Sequence, residues 1–173
     1  MVNPVKIAPI QSEHVRLRLL TEADLPLTLA WRNRPEIRCW FFHSQEISWE
    51  QHLAWFAQYT ANPHDFVFII EDLNTGQPVG QVALYHLDEQ ARRCEYGRLM
   101  MGEDAARGKG LAKQATLLLC KWGFERLGVD EIYLEVLENN LAARAVYTAC
   151  GFELEDIREG TVYMTLYREK AIE

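Results

Sequence analysis

The stretch from Gly102 to Gly128 does most to fix the architecture of this chain. A polar, glycine-bearing loop runs from Gly102 into Leu111–Leu127, where Leu111, Ala115, Leu118, Leu119, Trp122 and Phe124 recur at helical spacing. Gly128 supplies the C-cap. Strand-like runs flank this unit, Arg93–Met101 before it and Glu131–Leu137 after it. A helix set between two strands commits the chain to a mixed α/β layout.

The remaining elements follow from periodicity and punctuation. His14–Leu19 alternates polar and apolar residues as a half-buried strand does. Thr21-Glu22-Ala23-Asp24 reads as a capping box with Pro26 tolerated in the first turn, and its helix runs to about Asn33, before Pro35. Residues 34–47 read as irregular, rich in aromatics and arginine. Ser48 with Gln51 is a second capping box, opening a helix through about Tyr59 that carries Leu53, Phe56 and Tyr59 on one side. Phe66–Asp72 and Pro78–Leu87 read as strands joined by an Asn74-Thr75-Gly76 turn. Asp88–Ala91 leads to the third strand of that meander. Asn140–Cys150 reads as a short helix ended by Gly151, and Phe152–Ile157 with Thr161–Tyr167 as a hairpin about Glu159-Gly160.

The order β-α-α-β-β-β-α-β-α-β-β predicts an α/β (α+β) fold with a mostly antiparallel sheet of about seven strands and about four helices. A length of 173 residues without linker or repeat suits one domain over 1–173, with its core at about 13–168.

A net charge of -7 argues against a nucleic-acid partner, because phosphate backbones attract basic surfaces. Cys39, Cys94, Cys120 and Cys150 form no CxxC or Cys/His cluster, so they read as free thiols, three in apolar settings, with no metal site expected. Lys6 precedes no long apolar region, and no run is long enough to span a bilayer, which points to a cytoplasmic protein without a membrane partner.

The loop Arg107-Gly108-Lys109-Gly110-Leu111-Ala112 is the first candidate for chemistry. Its glycines let a ligand approach the backbone, and the free amides at the front of the helix suit a pyrophosphate, with Arg107 and Lys109 adding counter-charge. A Walker A loop fits badly, because five residues separate Gly102 from Gly108 and Gly110 replaces the hydroxyl that would hold magnesium. A dinucleotide fingerprint fails at Lys113, where it needs glycine. Taken alone, the loop reads equally well as a plain turn. The Asn140–Phe152 segment, taken alone, reads more readily as a packed and capped helix than as a functional element.

Together the two segments resemble the GNAT superfamily of acyl-CoA N-acyltransferases. That family's loop, Gln/Arg-x-x-Gly-x-Gly/Ala, is matched by Arg107, Gly110 and Ala112, and its later N-x-x-A-x-x-x-Y-x-x-x-G-F by Asn140, Ala143, Tyr147, Gly151 and Phe152. The resemblance covers about residues 13–168. It implies an acyltransferase that moves an acetyl group from acetyl-CoA, as co-substrate, to a primary amine by direct attack through a tetrahedral intermediate. It also implies that Arg93–Met101 splays from the next strand and pairs with pantetheine through Leu99 and Met101, with Met100 nearby. The diphosphate would fall to Arg107, Gly108, Lys109, Gly110, Leu111 and Ala112, with Asn140, Ala143 and Tyr147 beside the cofactor.

Tyr147 is the implied general acid, since a phenol of pKa about 10 can protonate a thiolate whose thiol has pKa about 8.5. Glu95 is the candidate base, with Tyr96 and His86 behind it. In relatives the first two helices and their connection select the acceptor. Trp31, Arg32, Asn33, Arg38, Trp40 and His52, with Tyr85 and Glu95 from the strands, are the expected substrate contacts. Arginines among aromatics suit a phosphate and a flat ring, whereas a polyamine would want acidic groups there. These segments look like those of enzymes that acetylate a nucleotide-linked amino sugar on the pseudaminic-acid pathway. Ribosomal-protein N-terminal acetyltransferases and aminoglycoside-type enzymes carry similar segments. A homodimer is left open, and a non-catalytic acyl-CoA-binding sensor is the alternative from another class.

Overall fold

Along Phe66–Asp72 every residue but Glu71 is buried, which requires cover on both faces of the sheet. The computed structural model describes residues 7–171 and supplies that cover. Lys6 and the two ends of the expected 1–173 domain lie outside the described residues. In chain order the elements are β1 (Ile10–Gln11), β2 (Val15–Leu19), α1 (Leu25–Arg32), α2 (Pro35–Arg38), α3 (Trp49–Ala61), β3 (Phe66–Asp72), β4 (Gln77–Asp88) and β5 (Arg93–Met101). There follow α4 (Leu111–Trp122), β6 (Glu131–Leu137), α5 (Leu141–Ala149), β7 (Glu153–Arg158) and β8 (Thr161–Tyr167).

The eight strands form one sheet in the order β1-β2-β3-β4-β5-β6-β8-β7. All neighbours are antiparallel except β5 and β6. The expected α/β fold is therefore present, with an eighth strand, β1, that is two residues long and too short to show a period. A one-turn helix, α2, also lies inside the stretch read as irregular, started by Pro35 at its first position. The helix expected over 111–127 stops at Trp122 and widens into a π turn over Gly123–Leu127, ended by Gly128 at φ 70°.

Strand alternation divides the core. Phe66, Phe68 and Ile70 point to the face covered by α4, where Trp122 meets Phe66 and Phe68 edge-on at 5.5 and 5.3 Å. Val67, Ile69 and Ala83 point the other way and pack with Leu25 and Tyr59 from α1 and α3. Both capping boxes are present. The Thr21 amide donates to Asp24, and Ser48 and Gln51 bond reciprocally at 2.8 and 3.1 Å. The four cysteines are free thiols, Cys39 exposed and the others buried. Among the described residues no helix is long and apolar enough to cross a membrane.

Candidate functional site

The sheet opens where β5 meets β6. These strands pair in parallel only through Arg93–Glu131, Cys94–Ile132 and Glu95–Tyr133, although β5 continues to Met101 and β6 to Leu137. A bulge completes the separation. Between Gln81 and Ala83 the β4 register slips against β5, and Arg98 sits there at φ 56°. The Gln81 amide donates to the displaced Arg98 carbonyl at 3.2 Å, so the bulge leaves that group satisfied. Gly97, beside the bulge, lies so close under the Tyr85 ring that a Cβ would collide with its hydroxyl.

A cavity of about 730 Å³ occupies the split. From β5 it is lined by Glu95, Tyr96 and the run Gly97–Met101. Arg107, Gly108, Gly110, Leu111, Ala112 and Lys113 line another wall, and Asn140, Ala143 and Tyr147 a third. Leu99, Met100 and Met101, expected beside the cofactor, and Tyr85, Glu95 and Trp40, expected beside the acceptor, line this cavity. The expected loop and helix residues do the same, apart from Lys109.

The front of α4 is built to meet an anion. Gly110 at φ 73° is its N-cap, and no side chain caps the helix. Whereas Ser48 closes the front of α3 and Asn140 closes that of α5, the first amides of α4 face the cavity loop without such a cap. A Cβ at Gly108 or Gly110 would meet nothing within 4 Å, so open space lies over this backbone. Lys109 turns its amine to within 4.0 Å of the buried Asp72 carboxylate instead, in a separate recess, whereas Lys113 lines the main cavity.

Tyr147 is 7% exposed and stands edge-on to Tyr96 at 5.6 Å. Burial pushes its phenol well above the usual tyrosine value, so it holds its proton across the working pH range. Among the described residues its hydroxyl has no hydrogen-bond partner, and the residue lines the cavity. Tyr96 is committed elsewhere. Thr116 donates to the Ala112 carbonyl at 2.7 Å, so the 2.7 Å contact between Tyr96 and Thr116 has the tyrosine as donor. That removes Tyr96 from the base candidates.

Alternation puts Cys94, Tyr96, Ile132 and Leu134 against α4, and Glu95, Tyr133 and Glu135 on the opposite face. Glu95 accepts from the Tyr85 hydroxyl at 3.2 Å and meets His86 Nδ1 at 2.9 Å. Glu135 and Glu36 line the same cavity and escaped the sequence reading. Nothing in a strand's alternation separates Glu135 from an ordinary solvated carboxylate until the split in the sheet is seen.

The expected acceptor residues of the 31–52 segment mostly turn away from the cavity. Trp31 is buried against Gly102 and donates to Glu103 at 3.0 Å. Arg32 donates to the His43 carbonyl and lies over the Phe41 ring at 4.2 Å. Asn33 closes the 34–47 loop through two 2.8 Å bonds to the Ile47 backbone. Arg38 stands 4.0 Å from Glu46, and Arg34 bonds Gly102, Glu36 and Asp104. His52 is buried, 3.1 Å from Thr28 and stacked on Trp55. Asn33 and Arg32 Nη2 hold the loop together, Arg32 Nη1 and Arg38 Nη1 are buried without a hydrogen-bond partner among the described residues, and Trp40, Phe41 and Phe42 line the cavity.

Residues 14–153 match the family model described as the acetyltransferase (GNAT) domain. The chain belongs to that family. As a GNAT protein it is an acetyl-CoA-dependent N-acetyltransferase, in agreement with the two sequence segments that suggested it. It is 29% identical over 156 residues to the spermidine N(1)-acetyltransferase of Escherichia coli K12, covering 88% of this chain and 75% of that one. It is 28% identical over 144 residues to an uncharacterised protein of Methanocaldococcus jannaschii, covering 83% of this chain and 29% of the relative's length. Among solved structures, the Vibrio cholerae spermidine N-acetyltransferase in complex with CoA and spermine superposes with a TM-score of 0.82 at 22% identity, covering 92% of this chain and 98% of that one. Apo FdhC, a nucleotide-linked sugar GNAT, gives 0.81 at 22% identity, covering 94% and 92%. Among the described residues, no group of three or more His, Cys, Asp or Glu side chains gathers around a common point where a metal ion would bind.

Proposed function

We propose that this GNAT protein transfers the acetyl group of acetyl-CoA to the primary amine of a small cationic acceptor by direct attack. The observation that carries the reading is the composition of the split cavity. Uncapped helix amides and Tyr147 lie toward the α4 and α5 side, and the carboxylates Glu95 and Glu135 lie on the other face. In this reading acetyl-CoA supplies an activated thioester. The amides of Leu111, Ala112 and Lys113 and the open loop at Gly108 and Gly110 hold its diphosphate. The free edge of β5 at Leu99 and Met101 binds the pantetheine arm, and a backbone N–H there polarises the thioester carbonyl. Tyr147 protonates the departing thiolate.

The cationic acceptor is favoured over an anionic one because Arg32, Arg34 and Arg38 are absent from the cavity wall, whereas Glu36, Glu95 and Glu135 are on it. The likeness to spermidine acetyltransferases points the same way. A nucleotide-linked amino sugar is the second reading, favoured by Trp40, Phe41 and Phe42 at the mouth, where a base could stack.

Thiol release from acetyl-CoA, measured with polyamines, simple alkylamines, UDP-amino sugars and N-terminal peptides, tests the choice. Turnover of the alkylamines and polyamines supports the cationic reading. Turnover confined to the sugars transfers the assignment to the second reading, and turnover confined to peptides discards both.

A further inference from the structure

Glu95 and Glu135 are diagonal neighbours across the last paired rung of the split, on the face away from α4. They are not equivalent. The Glu95 carboxylate is engaged on both oxygens, by the Tyr85 hydroxyl at 3.2 Å and His86 Nδ1 at 2.9 Å. Those two contacts hold both Glu95 oxygens in place at the cavity wall. Glu135 lines the same cavity and makes no hydrogen bond or ion pair among the described residues. Groups from four strands surround it. Glu95 faces it from β5, Tyr85 and His86 from β4, and Arg158 from β7, while Tyr163 is its register partner on β8. Arg158 is itself held by Asp156 at 2.8 Å and lies over the Tyr163 ring.

Resting on the acetyltransferase reading above, we infer that Glu135 is the general base that takes the proton from the acceptor ammonium, and that Glu95 anchors that ammonium as a fixed anion. Partial burial, and then the Glu95 charge, raise the Glu135 carboxyl above its usual value. The proton balance closes. The ammonium gives one proton to Glu135, and the freed lone pair forms the C–N bond at the acetyl carbon as the C–S bond breaks. The thiolate takes the Tyr147 proton, and the second proton leaving nitrogen restores Tyr147. Glu135 returns its proton to water, so each turnover releases one proton.

The test compares Glu135→Gln and Glu95→Gln with the unaltered protein, using an alkylamine of ordinary basicity and a fluorinated alkylamine that is already neutral at pH 7. Glu135→Gln should lower kcat/KM for the ordinary amine about 100-fold at neutral pH, at the low end of general-base effects. The deficit should shrink toward pH 9 and be nearly absent with the neutral amine. Glu95→Gln should raise the acceptor KM and keep the acid limb of the pH profile. If Glu135→Gln stays within about threefold of wild type with an unchanged profile, the assignment is overturned while the acetyltransferase reading stands. If Glu95→Gln shows the base signature, the roles are reversed and the assignment falls. If the unaltered protein turns over neither amine, the cationic-acceptor reading and this assignment fall together.

Discussion

Arg98 lies over the ring of Tyr85, its guanidinium carbon 4.0 Å from the ring centroid, while its Nη1 bonds Asp65 at 2.7 Å. Since Tyr85 in turn donates to Glu95, one chain of contacts joins the bulge that opens the sheet to the carboxylate beside it. Asp65 is buried, so Arg98→Met leaves an uncompensated charge. Its cost should be about 3 kcal/mol, the low end for a half-broken buried pair. Denaturant unfolding measures it, and Asp65→Asn with Arg98→Met should cost less than the sum of the two single changes.

Tyr147→Phe should reduce kcat at least about tenfold while leaving CoA affinity nearly unchanged. Because the hydroxyl has no partner among the described residues, its removal should not lower the melting temperature. Steady-state kinetics with calorimetry of CoA binding checks both, and an undiminished kcat takes the acid role from this residue.

Gly110→Ala should weaken CoA binding and destabilise the fold by about 1–2 kcal/mol, the cost of a left-handed conformation for an L-residue. Gly76→Ala is the control. That glycine has the same φ of 73° in the β3–β4 turn and does not line the cavity, so it should show the strain without the binding loss. Equal CoA affinities for the two variants would contradict an anion site at the front of α4.

His52 is buried in neutral form, and burial lowers its pKa below 6.5. The unfolded chain then binds the proton more readily than the folded one. This contribution to stability is present in full above pH 6.5 and is lost as pH falls through the depressed value. His52→Gln should flatten the fall in melting temperature below pH 6.5 relative to wild type. A slope unchanged by the substitution would mean that other groups cause it.

The parts legible in the sequence were those governed by local rules. Capping residues fixed the starts of α1 and α3, alternation gave the strands, and Gly110 with Tyr147 marked the two walls of the cavity. The acceptor side was not legible, for a physical reason. Arg32, Asn33 and Arg38 look like ligand-binding groups in one dimension, but their partners are backbone atoms and side chains eight to fourteen residues away, which close the 34–47 loop. Glu135 was invisible because its setting depends on a split between strands from two distant parts of the chain. Lys109 and Lys113 exchanged places for a similar cause. Helical rotation carries Lys113 to the cavity, and buried Asp72 draws Lys109 behind it.

The early end of the β5–β6 ladder also bears on how the molecule breathes. Backbone amides from Gly97 to Met101 that lack a neighbour on the β6 side should exchange with deuterium faster than those of the fully laddered β3. If the donor's amide arm docks as proposed, it becomes a surrogate strand, and those same positions should slow on addition of CoA while β7 at the far rim keeps its rate. The substrate would then be a structural part of the sheet for as long as it stays, so that heat resistance and catalytic readiness rise together.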